Sequence, residues 1–264
     1  MNHSSFPEPL AQVLRDLPEV TKALGELRFR LRRLLDERLV GLYGYGSLTA
    51  GHFDSEQSDL DLLAALSFEV GEHDLQPIGQ LHAEFMRKHP KWDDRVEIAY
   101  VSREGLRTFK SRPSWVANIS PGEPFNRRLV GREWIIGYYL VREHGVALLG
   151  PPPETLIAEI SRDEFVGAVR EYFARWRDLL PPSATRGPQR YAVLTMCRGL
   201  YALQHGGVIS KKQAALWAQC EFPTWAAVIE QAITAANNDP ASETDSRDTA
   251  RFVEFALATA DRTS

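Results

Sequence analysis

The sequence predicts an α/β protein: a first half carrying a small mixed sheet, then a second half that is an all-helical bundle. Three observations predict this. Short apolar or alternating runs at residues 39–43, 59–63 and 95–101 read as strands set among amphipathic helical spacings. Gly150-Pro151-Pro152-Pro153 then interrupts the chain. Every periodic stretch beyond it has helical spacing. The boundary falls within residues 150–162, giving domains 1–155 and 156–264.

At 264 residues the chain buries a sizeable core without covalent staples. Hydrophobic residues are 44% and charged residues 25%, the usual balance of a globular protein, and the net charge is −4. No global field favours nucleic acid or an anionic membrane, so any phosphate site must be local. Cys197 and Cys220 are far apart and read as free thiols of a reducing compartment. The opening residues lack the basic and apolar regions of a signal peptide, and no apolar run reaches membrane-spanning length. The expected location is the cytoplasm, and the expected form is a monomer.

In order, residues 19–38 carry Val20, Ala23, Leu24, Leu27, Leu31, Leu34 and Leu35 at helical spacing, with a solvated arginine face. The strand at 39–43 is broken by Gly44 and Gly46. A helix is expected around Leu75–Met86; His82 and His89 lack metal-ligand spacing and read as structural. Residues 102–132 read as irregular, because Pro113, Pro121 and Pro124 interrupt them. This segment is either a lid or a loop, and Trp115 within it either stacks on a ligand ring or packs. A helix at 133–143 and a strand at 146–149 close the first half. In the second half, Ser161–Glu164 and Ser210–Gln213 are capping-box patterns. Helices are expected after each, and also at 191–205, 224–236 and 247–261. Pro181 and Pro182 end the first of them, and residues 237–248 read as a loop.

The chemistry concentrates around the first two strands. Asp59 and Asp61 share one strand face while Leu60 and Leu62 enter the core. Paired carboxylates are costly unless a cation lies between them, and oxygen-only ligands suit Mg²⁺. Gly46-Ser47 offers backbone N–H groups and a hydroxyl to a phosphate. A phosphate cradle beside metal-binding carboxylates implies chemistry on a nucleoside triphosphate. Glu97, on the strand at 95–101, is a third metal ligand or a general base. Lys211 and Lys212 follow the Ser210 cap, where the helix dipole disfavours cations unless an anion binds there.

Gly46-Ser47 followed by Asp59-Leu60-Asp61 resembles the signature of the polymerase-β-like nucleotidyltransferases. The variant GSLTAG…SDLDLL is most similar to the aminoglycoside adenylyltransferases of the streptomycin and spectinomycin type. The resemblance extends to residues 142–151, REHGVALLGP, and to LTMCRGLYALQHGGVISKKQAALWA from Leu194. It implies Mg²⁺-dependent transfer of AMP from ATP, the co-substrate, to a hydroxyl of a small acceptor. Asp59 and Asp61 would hold metal, with Glu97 as base or further ligand. Gly46, Ser47, Arg198 and Lys211 would hold the nucleotide, and Trp115 and Gln189 mark the acceptor side. The chain departs from the family where it has Pro188, Gln189, Lys212 and Leu216 in place of acids. That favours spectinomycin over streptomycin as acceptor. Another metabolite or a protein as acceptor, or a nucleotide sensor without turnover, are the alternatives.

Overall fold

The apolar runs form strands β1 (Leu39–Gly44), β2 (Leu60–Leu66) and β3 (Val96–Ser102). With β4 (Ser114–Ser120), β5 (Glu123–Val130) and β6 (Val146–Leu149) they make one sheet ordered β5-β4-β3-β2-β1-β6. Only β2 and β3 run parallel; every other neighbouring pair is antiparallel. The computed structural model describes residue 6 and residues 8–50, 53–55, 58–176, 185–236 and 239–262. It divides into two units, Met1–Ile160 and Ser161–Ser264.

In the first unit, α1 (Glu8–Leu14), α2 (Pro18–Leu35) and α3 (Glu72–Lys88) precede the short α4 (Arg103–Thr108) and α5 (Ile135–His144). One sheet face packs Leu60, Leu62, Val96, Ile98 and Tyr100 into a core with Leu24, Leu27 and Leu31 of α2 and Ile78 and Phe85 of α3. The central strands are buried nearly throughout, as a parallel pair covered on both faces must be. His82 of α3 is structural as expected: it is buried against the Tyr100 hydroxyl at 2.5 Å, and burial lowers its pKa to about 3.

Residues 102–132 are not irregular; they form α4 and the β4–β5 hairpin. Each proline occupies a place where its missing N–H does no harm. Pro113 precedes β4, and Pro124 lies in β5, the edge strand. Pro121-Gly122 is the two-residue turn, with Ser120 paired to Glu123 and Gly122 at φ 75°. Proline then glycine with positive φ is the chemistry of a type II turn.

The second unit contains α6 (Arg162–Arg175), α7 (Arg186–His205), α8 (Lys211–Glu221), α9 (Ala226–Thr234) and α10 (Glu243–Arg262). Both capping boxes form: Ser161 with Glu164, and Ser210 with Gln213. Helix α7 is the central member, buried over Ala192–Cys197 almost all round. It begins five residues earlier than the spacing predicts, because Pro188 lies in its first turn, where no N–H partner is needed. Likewise α10 begins inside the expected 237–248 loop. Its start carries a box that the sequence reading overlooked: Asp245 accepts from the Ser242 N–H (2.8 Å), and Ser242 Oγ accepts from the Asp245 N–H (3.1 Å). The stop assigned to Pro181-Pro182 lies outside the described residues.

Helices α2 and α3 are tied by Glu26. Its carboxylate meets Arg30, Lys88 and His89, each at 2.8 Å. Burial raises its pKa, but the hydrogen bonds from Lys88, His89 and Arg30 outweigh that and bring it from 4.5 to about 2. A depressed carboxylate contributes stability that is complete above the unfolded-state value and disappears as pH falls toward the folded one. Solvent around the exposed Lys88 screens that contribution. Thermal melts from pH 7 to pH 2 should show the wild type losing stability between about 4.5 and 2. Glu26→Gln should start lower and lose less over that window.

Candidate active site

Strand register assembles the site. Gly44 pairs with Leu62, so the next residue, Tyr45, falls beside Asp61, and its N–H donates to the Asp61 carbonyl (3.1 Å). Asp61 is in turn the register partner of Glu97 in the parallel pair. Tyr45, Asp61 and Glu97 therefore form one row across three strands, on the face opposite Leu60 and Leu62. Neighbouring strands lie about 4.8 Å apart, so a phenol and two carboxylates stand side by side. Electrostatics agrees: burial pushes the Tyr45 hydroxyl well above its ordinary pKa, and Glu97, Asp61 and Tyr138 push it further.

The Gly-Ser turn is packed onto this row. Gly46–Leu48 forms a single 3-10 turn, pinned by the fully buried Leu48. Gly46 has φ +67°, and a Cβ there would lie 2.1 Å from Asp61 Oδ2. Glycine is thus required twice, for its backbone angle and for the approach of the carboxylate. Behind the row, α5 supplies Tyr138, whose ring packs on Phe109 with centroids 4.8 Å apart. The Tyr138 hydroxyl is buried without a hydrogen-bond partner, and burial, then Glu133, raises its pKa.

Asp59 lies just before β2 rather than within it, and its side chain is 43% exposed. Arg95 Nε stands 4.0 Å from its Oδ1. Among the described residues, no three His, Cys, Asp or Glu side chains are grouped so as to hold a metal ion. The donor set still suits Mg²⁺, which is commonly bound by one or two carboxylates while substrate phosphates and water complete its shell. Asp61 and Asp59 would supply such a pair, with Glu97 beside Asp61.

Two expected nucleotide residues lie on neighbouring helices of the second unit. Lys211 begins α8, and its ammonium lies 5.1 Å from the centre of the Tyr191 ring. Tyr191 and the half-buried Arg198 are seven residues apart on α7, about two turns along one helix face. Gln189 does not share this face of α7. Gln189 is nine residues from Arg198, hence on the opposite side of α7, and donates to Ser246 Oγ of α10 (2.8 Å). Trp115 shares the Ile98 and Tyr100 face by register, not the Glu97 face, and carries the Arg127 guanidinium 4.1 Å over its ring. Sequence reasoning missed Tyr45, Tyr138 and Arg95. Tyr45 had a visible signal, its place between a strand end and the Gly-Ser turn; Tyr138 had none.

Residues 155–261 match the family described as aminoglycoside adenylyltransferase, C-terminal domain. Aminoglycoside (3'') (9) adenylyltransferases of Shigella flexneri and Escherichia coli are each 26% identical over 220 residues, covering 78% of this chain and 81% of theirs. The crystal structure of spectinomycin adenyltransferase AAD(9) from Enterococcus faecialis, solved with ATP and spectinomycin, shares the fold. Its TM-score is 0.74 at 16% identity, over 91% of this chain and 98% of that one. The resemblance and the fold class read from the sequence are borne out.

Gly46→Ala should separate these structural demands from general stability. An alanine at positive φ costs about 1 kcal/mol, and the new Cβ displaces the Asp61 carboxylate. The melting temperature should drop by a few degrees, while Mg·ATP affinity by calorimetry should drop at least tenfold. Unchanged nucleotide affinity would show that the turn does not set the position of Asp61.

Proposed function

We propose that this chain, similar to the aminoglycoside adenylyltransferases, transfers AMP from ATP to a hydroxyl of a small aminoglycoside- or aminocyclitol-like acceptor. The observation that carries the reading is the row Tyr45, Asp61 and Glu97 lying against the Gly46–Leu48 turn. A turn that offers N–H groups beside paired carboxylates suits a metal-bound triphosphate.

Asp61 and Asp59 hold the metal end of the triphosphate, and Gly46 and Ser47 offer it donors. Arg198 and Lys211 balance the charge of the phosphates. Mg²⁺ bound at these carboxylates supplies charge neutralisation at the phosphates and orients the reacting oxygens. Glu97 accepts the proton of the acceptor hydroxyl. That oxygen forms the new bond to the α-phosphorus, the bond from the α-phosphorus to the β-bridging oxygen breaks, and pyrophosphate leaves.

Lys211 supports the phosphate assignment. It occupies the first turn of an eleven-residue helix that has no acidic residue there. A cation at that end is unfavourable by a few tenths to about 1 kcal/mol, and a bound phosphate reverses the sign.

The acceptor follows from charge. Desolvating an ammonium or guanidinium group needs carboxylates, and losing one partner of such a pair costs about 2–5 kcal/mol. Pro188 caps no charge, Gln189 is held by Ser246, Lys212 is exposed, and Leu216 is 47% exposed. Streptomycin, with two guanidinium groups, is therefore a poor acceptor, and spectinomycin or an uncharged hydroxylated metabolite a better one. The second reading, a metabolite acceptor, draws on the same absence of acids.

Two tests apply. Asp61→Asn should abolish detectable Mg·ATP binding in calorimetry. Glu97→Gln should retain it while kcat drops by roughly 10²-fold or more; full turnover would remove Glu97 from the mechanism. Pyrophosphate release from Mg·ATP should be faster with spectinomycin than with streptomycin, and expression in a sensitive bacterium should protect in the same order. Efficient streptomycin adenylylation would overturn the charge argument but not the transfer chemistry.

A further inference from the structure

Arg95 sits immediately before β3, two residues from Glu97, and its carbonyl accepts from the N–H of Leu60, the first residue of β2 (2.9 Å). Its side chain turns back over the segment that leads into Asp59. Nη1 donates to the Ser55 carbonyl (3.1 Å), and Nη2 donates to the Ser58 carbonyl. The guanidinium also lies 5.0 Å from the centre of the Trp92 ring. Trp92 is buried, and Phe53 packs on it with centroids 6.2 Å apart. One half-buried side chain thus holds both ends of Ser55–Ser58 against a fixed aromatic floor.

The contact with Asp59 is of a different kind. It is 4.0 Å long to a carboxylate that is 43% exposed, while the Arg95 side chain is 18% exposed. A pair that open and that long contributes little as an ion pair. The two carbonyl bonds and the ring stack instead fix where the chain runs. These use the planar fork of the guanidinium, which a lysine ammonium lacks.

We propose that Arg95 is a positioning residue for Mg·ATP: it holds the Ser58–Asp59 backbone, two residues before Asp61, so that the Asp59 carboxylate is in place before nucleotide arrives. The inference rests on the role given to Asp59 above. Preset geometry lowers the ordering cost of binding.

A double-mutant cycle tests it. ATP binding is measured by calorimetry without acceptor, in Mg²⁺ and in EDTA, for wild type, Arg95→Lys, Asp59→Asn and the double variant. Arg95→Lys should weaken Mg·ATP about tenfold and leave ATP binding in EDTA unchanged. In the Asp59→Asn background it should change Mg·ATP affinity less than twofold, because the residue acts through Asp59. Arg95→Gln, which keeps a planar donor, replaces the lysine variant if that variant melts early, with the same expectations. An Arg95 variant within twofold of wild type, an equal loss in EDTA, or an additive loss with Asp59→Asn overturns the proposal. If Asp59→Asn itself binds Mg·ATP normally, the role of Asp59 fails instead. If Asp59→Asn loses binding while Arg95→Lys does not, only the inference about Arg95 fails.

Discussion

The in-register parallel pairing of β2 with β3 is the constraint on which the rest depends. It sets Asp61 beside Glu97 and, in the same step, sends Leu60, Leu62, Val96 and Ile98 into the helical face. Side chains alternate with period two, so a slip of one residue would exchange the two sets. Two carboxylates would then enter an apolar core while the leucines took the polar row. That penalty amounts to several kcal/mol for each buried charge. The hydrophobic pattern of two strands therefore fixes the catalytic register as firmly as it fixes the fold.

The row carries its own tension. Like charges on adjacent strands repel, and the neighbouring phenol stays neutral beside them, because burial and both acids hold it protonated. Asp59, by contrast, lies outside the strand and is open to solvent beside Arg95. The two aspartates of one Asp-x-Asp motif thus have different surroundings. Asp61 is locked under Gly46, whereas Asp59 depends on the segment before it for its place.

Much of this was legible in the sequence. The three central strands, the Gly-Ser turn, the Asp-x-Asp pair and both expected capping boxes follow from local chemistry: apolar alternation, glycine where the chain turns, and serine three residues before glutamate or glutamine. The hairpin at residues 114–130 was not legible, because its prolines were weighed as breakers without knowing that β5 is an edge strand. The starts of α7 and α10 were placed too late for a related reason. Proline in a first turn and the Ser242–Asp245 box both belong to helix starts, but loops share their composition. Trp115 and Gln189 show the limit on the site side. Whether they face a ligand depends on sheet register and on helix phase, set by partners far away in sequence.

Each unit, taken separately, concentrates one sign of charge at the residues proposed for nucleotide. In the first unit these are acids, gathered by strand pairing; in the second they are Arg198 and Lys211, gathered by one face of α7 and the start of α8. Neither arrangement favours the stability of its own unit. The acids repel one another, and the lysine, beside the Tyr191 ring, opposes a helix dipole. Under the proposed function a metal cation suits the acids of the first unit, and phosphates suit the lysine and arginine of the second.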